Sequence, residues 1–186
     1  MRKIFVAILF IMQAFCLHAQ RSNAITDKGQ SSNKWYYMYL QALKEPIIYA
    51  DKTNKEIYRF TWLRTFHNPI AIRIEKDGSN YKLYWSVCDG KGGYDPGKLV
   101  VAKSRNLNKQ NWDNFLKKVS IAGFWTMRTD KDFFATDGSQ WILEGKVNTK
   151  YNVVEGWSPS ASTGFYKCCD YLITLIDLKI KPDDKY

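Results

Sequence analysis

Glu144 and Glu155 are the residues with the most direct capacity for chemistry in this sequence. Two carboxylates on neighbouring strands are the minimum for glycoside hydrolysis, one protonating the leaving oxygen while the other attacks or activates water. Asp137, at the head of the segment that carries Glu144, is a third candidate. Alternation places Glu144 opposite Trp141 and Leu143, and Glu155 with Tyr151, Val153 and Trp157. Read across the intervening turn, the two carboxylates fall on opposite faces, which weakens the hydrolase reading.

Arg64 breaks its own pattern, because it falls on the face that carries Tyr58, Phe60, Trp62 and Phe66. Ionised groups are rarely buried unless paired. Three arrangements satisfy that rule. Arg64 forms a structural ion pair, with Glu155 as first partner and Glu144 as second; or it grips a carboxylate or phosphate in a pocket beside Trp157; or the register is off by one and both charges face water. The candidate ligand-binding set is therefore Arg64, Glu155, Trp157 and Glu144.

Two further motifs carry less. Residues 92–99 satisfy G-x-x-x-x-G-K, but Leu99 stands where a nucleotide-binding loop needs a hydroxyl for magnesium, and a strand pattern follows where a helix is required. His67 beside Cys88 would make a base and a nucleophile, yet nothing in the spacing brings them together, and His67 reads as a turn residue ahead of Pro69. No catalytic residue, metal site or cofactor is expected.

The first residues set the compartment. Arg2 and Lys3 precede an apolar run closed by His18-Ala19-Gln20, the pattern of a secretory signal peptide over residues 1–19. A periplasmic or secreted protein is expected, with no transmembrane segment after cleavage. His67 is then the only histidine left, which excludes sites built on two. Export favours oxidised cysteines. Of the three that remain, Cys88 is expected to form a disulfide with Cys168 or Cys169; Cys169 shares a helical stripe with Phe165, Leu172 and Ile173, which makes Cys168 the better partner. The net charge is +10, or +8 without Arg2 and Lys3, and it is spread along the chain. Nucleic acid is not an expected partner of an exported protein; an unknown protein or an anionic envelope ligand is.

The elements that position these residues follow from periodicity. A polar leader over residues 20–32 precedes a helical stripe of Trp35, Tyr39 and Leu43. Strand alternation runs through Tyr58, Phe60, Trp62 and Phe66, and a hairpin turns at Asp77-Gly78 between Ile70–Ile74 and Tyr81–Val87. A second hairpin brackets residues 148–150. Trp112, Phe115 and Val119 mark a second helix with Asn108 as possible cap, and Phe165 to Ile176 mark a third. The expectation is a single α+β domain over residues 33–180, mainly an antiparallel sheet of hairpins with about three helices packed on one face, and a polar tail from 181 to 186.

Several segments carry a resemblance: residues 63–69, 92–99 and 123–125, D-G-x-x-W-I-L-E-G over 137–145, and Y-x-V-V-x-x-W-S-P over 151–159. Together, across about residues 56–176, they resemble a family of small exported bacterial proteins without an assigned activity. Its members tend to read Y-H-V-V-D-R-W-S-P, where this chain has Asn152, Glu155 and Gly156. The resemblance implies one domain and no reaction; any acid–base chemistry in that strand would lack its histidine here. The leading functional expectation is a non-catalytic binding or interaction domain of the bacterial envelope. A hydrolase of cell-wall or glycan polymers using Glu144, Glu155 or Asp137 is the alternative, and an inhibitor or immunity-type protein the third reading.

Overall fold

A helix α1 (Ser31–Ala42) is the first element of the described residues, followed by strands β1 (Glu56–Arg64), β2 (Ile70–Asp77), β3 (Asn80–Cys88) and β4 (Leu99–Asn106). Helix α2 (Lys109–Ile121), strands β5 (Ser139–Val147) and β6 (Lys150–Trp157) and helix α3 (Gly164–Thr174) come next. The structure, a computed structural model, describes residues 31–129 and 137–186. The expected signal peptide and the leader up to residue 30 lie outside the described residues; residues 31 and 32 belong to the first turn of α1. Among the described residues no helix is long and apolar enough to cross a membrane.

The six strands form one antiparallel sheet in the order β4-β3-β2-β1-β5-β6, a single-domain α+β fold. Hairpins account for most of its connectivity. Gly78, with φ +58, turns β2 into β3, and Asn148, with φ 53, turns β5 into β6. Both positions require a left-handed backbone, which glycine and asparagine adopt at least cost. The Asn108 side chain accepts from the Asn111 amide and caps α2, while Gly123 closes it in the left-handed region.

The helices do not share one face, and here the expectation fails. Tyr58, Phe60 and Trp62 of β1 pack with Trp112 and Phe115 of α2 and Leu172 of α3. The alternate residues of the sheet, Leu63, Ala71, Ile142 and Val153, pack instead under Tyr36, Tyr39 and Leu40 of α1. Strand β1 is thus buried on both faces over all but its first residue. Its end at Arg64 leaves Phe66 exposed rather than inside.

The two-faced sheet also overturns the expected disulfide. Cys88 belongs to the α1-side core, whereas Cys168 and Cys169 belong to the α2/α3-side core, so the sheet separates them. A disulfide needs Cα atoms within about 7 Å. All three are free and buried, and burial pushes the Cys88 and Cys168 thiols up to about 11, which keeps them protonated and inert.

Candidate functional site

On the α1 side, a charged row crosses the sheet beside the apolar cluster. Arg73 of β2, Arg59 of β1 and Glu144 of β5 lie directly opposite one another in one cross-strand row. Two adjacent arginines repel. Glu45 resolves this by reaching both, at 2.8 Å to Arg73 and 3.6 Å to Arg59. It can do so because Lys44, at φ 56, ends α1 with a reversal in which the Glu45 amide donates back to the Leu40 carbonyl. The result is an alternating series, Glu144–Arg59–Glu45–Arg73–Glu75–Lys55, running from the buried centre to the surface. Arg59 also donates to the Pro46 carbonyl. Burial is the largest single influence and opposes its charge, but Glu144, Tyr36 and Glu45 together outweigh it and raise its pKa.

Glu144 is saturated. Its Oε2 accepts from Arg59 and from the Tyr36 hydroxyl at 2.7 Å, and its Oε1 accepts from the Tyr151 hydroxyl at 2.7 Å. Because Tyr36 spends its proton on Glu144, Thr61 is the donor in the 2.8 Å contact between their hydroxyls. Burial, reinforced by the adjacent carboxylate, drives both phenols well above their ordinary pKa. With both oxygens already engaged by these donors, Glu144 has no free position for a glycosidic oxygen.

Glu144 and Glu155 share a face, contrary to expectation. The turn between β5 and β6 has two residues, pairing Val147 with Lys150, where a three-residue turn would have shifted the register by one. Glu155 therefore opposes Ile142 and lies diagonal to Glu144. It accepts from the Gln140 amide at 2.7 Å, and burial raises its pKa, with Glu144 adding to the effect. A carboxyl whose folded pKa exceeds its unfolded value makes stability fall as pH rises through the interval between them. Glu155→Gln keeps an acceptor for Gln140 and removes that penalty. The variant is expected to be more stable than the parent at pH 7 and to lose its advantage below about pH 4; guanidinium unfolding at both pH values measures it, and a variant less stable at pH 7 would refute the burial account. Asp137 is exposed, just ahead of β5.

Arg64 lies on the other side of the sheet and meets neither glutamate. Its guanidinium stacks 4.4 Å above the Trp62 ring, on the α2/α3 side, so the proposed pairs with Glu155 and Glu144 do not form. Its charge faces main-chain oxygens: Asn68 at 3.2 Å and Asp184 at 3.5 Å. No carboxylate among the described residues makes a salt bridge with it, and its buried Nε has no partner. Burial lowers its pKa, the opposite of Arg59. Donors gather around it: the Trp62 and Trp141 indole N–H groups both point at Ser139 Oγ, at 3.1 and 2.8 Å. Ser139 in turn donates to the Tyr186 carbonyl, which Trp141 also reaches at 3.1 Å. Trp157 is half-buried with its indole N–H unpartnered, over Gly138, where φ is +148 and a Cβ would lie 2.5 Å from that nitrogen. Alternation puts it on the face of Glu155, away from Arg64.

His67 is engaged by the tail, its Nδ1 2.7 Å from the Tyr186 hydroxyl and its Nε2 3.4 Å from an Asp184 carboxylate oxygen. The glycine-rich loop holds no anion-binding helix end; it runs into β4 and packs on the β1–β2 connection through the Gly92 amide to the His67 carbonyl and the Gly93 amide to that of Thr65. No protein-family model and no curated protein matches this chain. Its own residues must therefore carry the functional reading. A polar cleft of about 740 Å³ opens where the charge series reaches the surface, among Lys44, Glu45, Lys55, Arg73, Glu75 and Tyr84. Arg73, Glu45 and Glu75 already pair within it, so a charged ligand there would have to break existing bonds.

Proposed function

We propose that the chain is an exported, non-catalytic binding domain of the bacterial envelope whose Arg64 socket takes the anionic end of an acidic ligand. The observation that carries this reading is a buried arginine with a free N–H and no salt-bridging carboxylate among the described residues, surrounded by further donors. Burial disfavours this cation more than the nearby Asp184 and Tyr186 support it, and a bidentate carboxylate or phosphate would relieve that cost through two charge-assisted bonds. The hydrolase alternative finds less support, since both Glu144 oxygens are already taken by four hydrogen bonds from Arg59, Tyr36 and Tyr151.

The reading separates stability from binding. Arg64→Met retains the packing over Trp62 and removes a buried charge that makes no ion pair, so its unfolding free energy should stay within about 1 kcal/mol of the parent. Succinate and inorganic phosphate should raise the melting temperature of the parent protein, as expected of ligands that bind only the folded state, and leave Arg64→Met unmoved. Equal shifts in both proteins would place the anion elsewhere and end the proposal.

A further inference from the structure

We infer that the socket's ligand is an extended acidic–aromatic peptide, and that residues 183–186 of the chain occupy the socket as its internal stand-in. The inference rests on the Arg64 reading above and names the ligand class for that site.

The tail is held by side chains from four places. Asp184 offers its carbonyl to Arg64 and its carboxylate to His67. Lys185 reaches Asp170 of α3 at 2.7 Å. Tyr186 sets its carbonyl on Ser139 and Trp141 and its hydroxyl on His67. Each contact uses an element that a short peptide supplies: main-chain oxygens, an acidic side chain, a lysine and a phenol. The groups beneath are built into the fold. Ser139, Trp62 and Trp141 are fully buried, and Arg64 is 5% exposed.

The fit is incomplete at one place. Arg64 receives carbonyl oxygens, its Nε stays unbonded, and the Asp184 carboxylate turns to His67 instead. Charge-assisted bonds are roughly twice as strong as those between neutral groups. A peptide that brings a carboxylate onto Arg64 would thus outbind the tail at that point while reproducing the contacts to Ser139, Trp141 and His67. An intramolecular occupant with that defect lowers the apparent affinity for an incoming ligand without abolishing it.

A labelled peptide of sequence Lys-Pro-Asp-Asp-Lys-Tyr, titrated into the full chain by fluorescence anisotropy, tests this. The double variant Asp184→Ala/Tyr186→Ala should bind it at least ten-fold more tightly than the parent. Lys185→Glu, a milder surface change that sets like charges against Asp170, should move affinity in the same direction. Adding Arg64→Met to the double variant should return binding to the parental level or below. Equal affinity for parent and tail variants, or binding indifferent to Arg64→Met, overturns the inference. If succinate and phosphate still act through Arg64 while the peptide fails, the peptide assignment alone falls; if neither acts through Arg64, the socket falls with it.

Discussion

Glu144→Gln is expected to cost about 3–5 kcal/mol of stability, the scale for removing one member of a buried pair. The carboxylate takes bonds from Arg59 through two nitrogens and from the Tyr36 and Tyr151 hydroxyls, all of them donors. A carboxamide has one accepting end. Whichever way it turns, its NH₂ group confronts either the Arg59 and Tyr36 donors or Tyr151, and the Arg59 charge is left with Glu45 at 3.6 Å. Urea unfolding with an unchanged m-value would measure the loss cleanly. The double variant Arg59→Met/Glu144→Leu should recover most of it, because well-packed apolar residues often replace a buried ion pair without loss. A cost below about 1 kcal/mol for Glu144→Gln would mean that the row behaves as an exposed ion pair.

Gly92→Ala is expected to cost about 1–3 kcal/mol, towards the upper end. A Cβ at this position would lie 2.4 Å from the Arg64 amide nitrogen and 2.5 Å from the Leu63 carbonyl carbon. Neither atom can rotate away, being main chain of β1. The loop must lift, breaking the Gly92 bond to His67 and the Gly93 bond to Thr65 that hold the rim of the Arg64 socket. Stability and phosphate response should therefore fall together in this variant, in contrast to Arg64→Met. Chemical unfolding and the anion-dependent melting shift, run in parallel, decide it; a variant within 0.5 kcal/mol of the parent, the usual scale for surface changes, would show that the loop has room to move.

The hairpins and helices were legible because their signals are local. An Asp-Gly pair between alternating segments and an asparagine cap before an apolar stripe act within a few residues. Arg64 was also legible as an inward charge, since its strand neighbours Tyr58, Phe60 and Trp62 mark that face. Its partner was not. Which face Glu155 shares with Glu144 depends on whether the β5–β6 turn has two residues or three, a difference that reverses every side chain. Arg59 is not legible in the sequence as a buried charge: between aromatic residues it reads as a solvent-facing one, and only the return of α1 over that face buries it. Nor does the sequence reveal Trp62, Trp141 and Ser139 as a polar cluster, because the convergence of their polar atoms exists only in three dimensions.

The charged row across β2, β1 and β5 has a consequence for how the strands find one another. A slip of β1 by one residue against its neighbours would carry Arg59 into the layer of Trp112 and Phe115, and Phe60 into the ring of tyrosine hydroxyls around Glu144. An apolar row tolerates such an error, since one branched side chain replaces another at small cost. Here the misaligned sheet would hold a bare guanidinium in oil and a carboxylate without its cation, at several kcal/mol each. The row thereby acts as a register lock: a one-residue misalignment is penalised in free energy, and the favoured alignment sets Arg64 of β1 opposite Ser139 of β5.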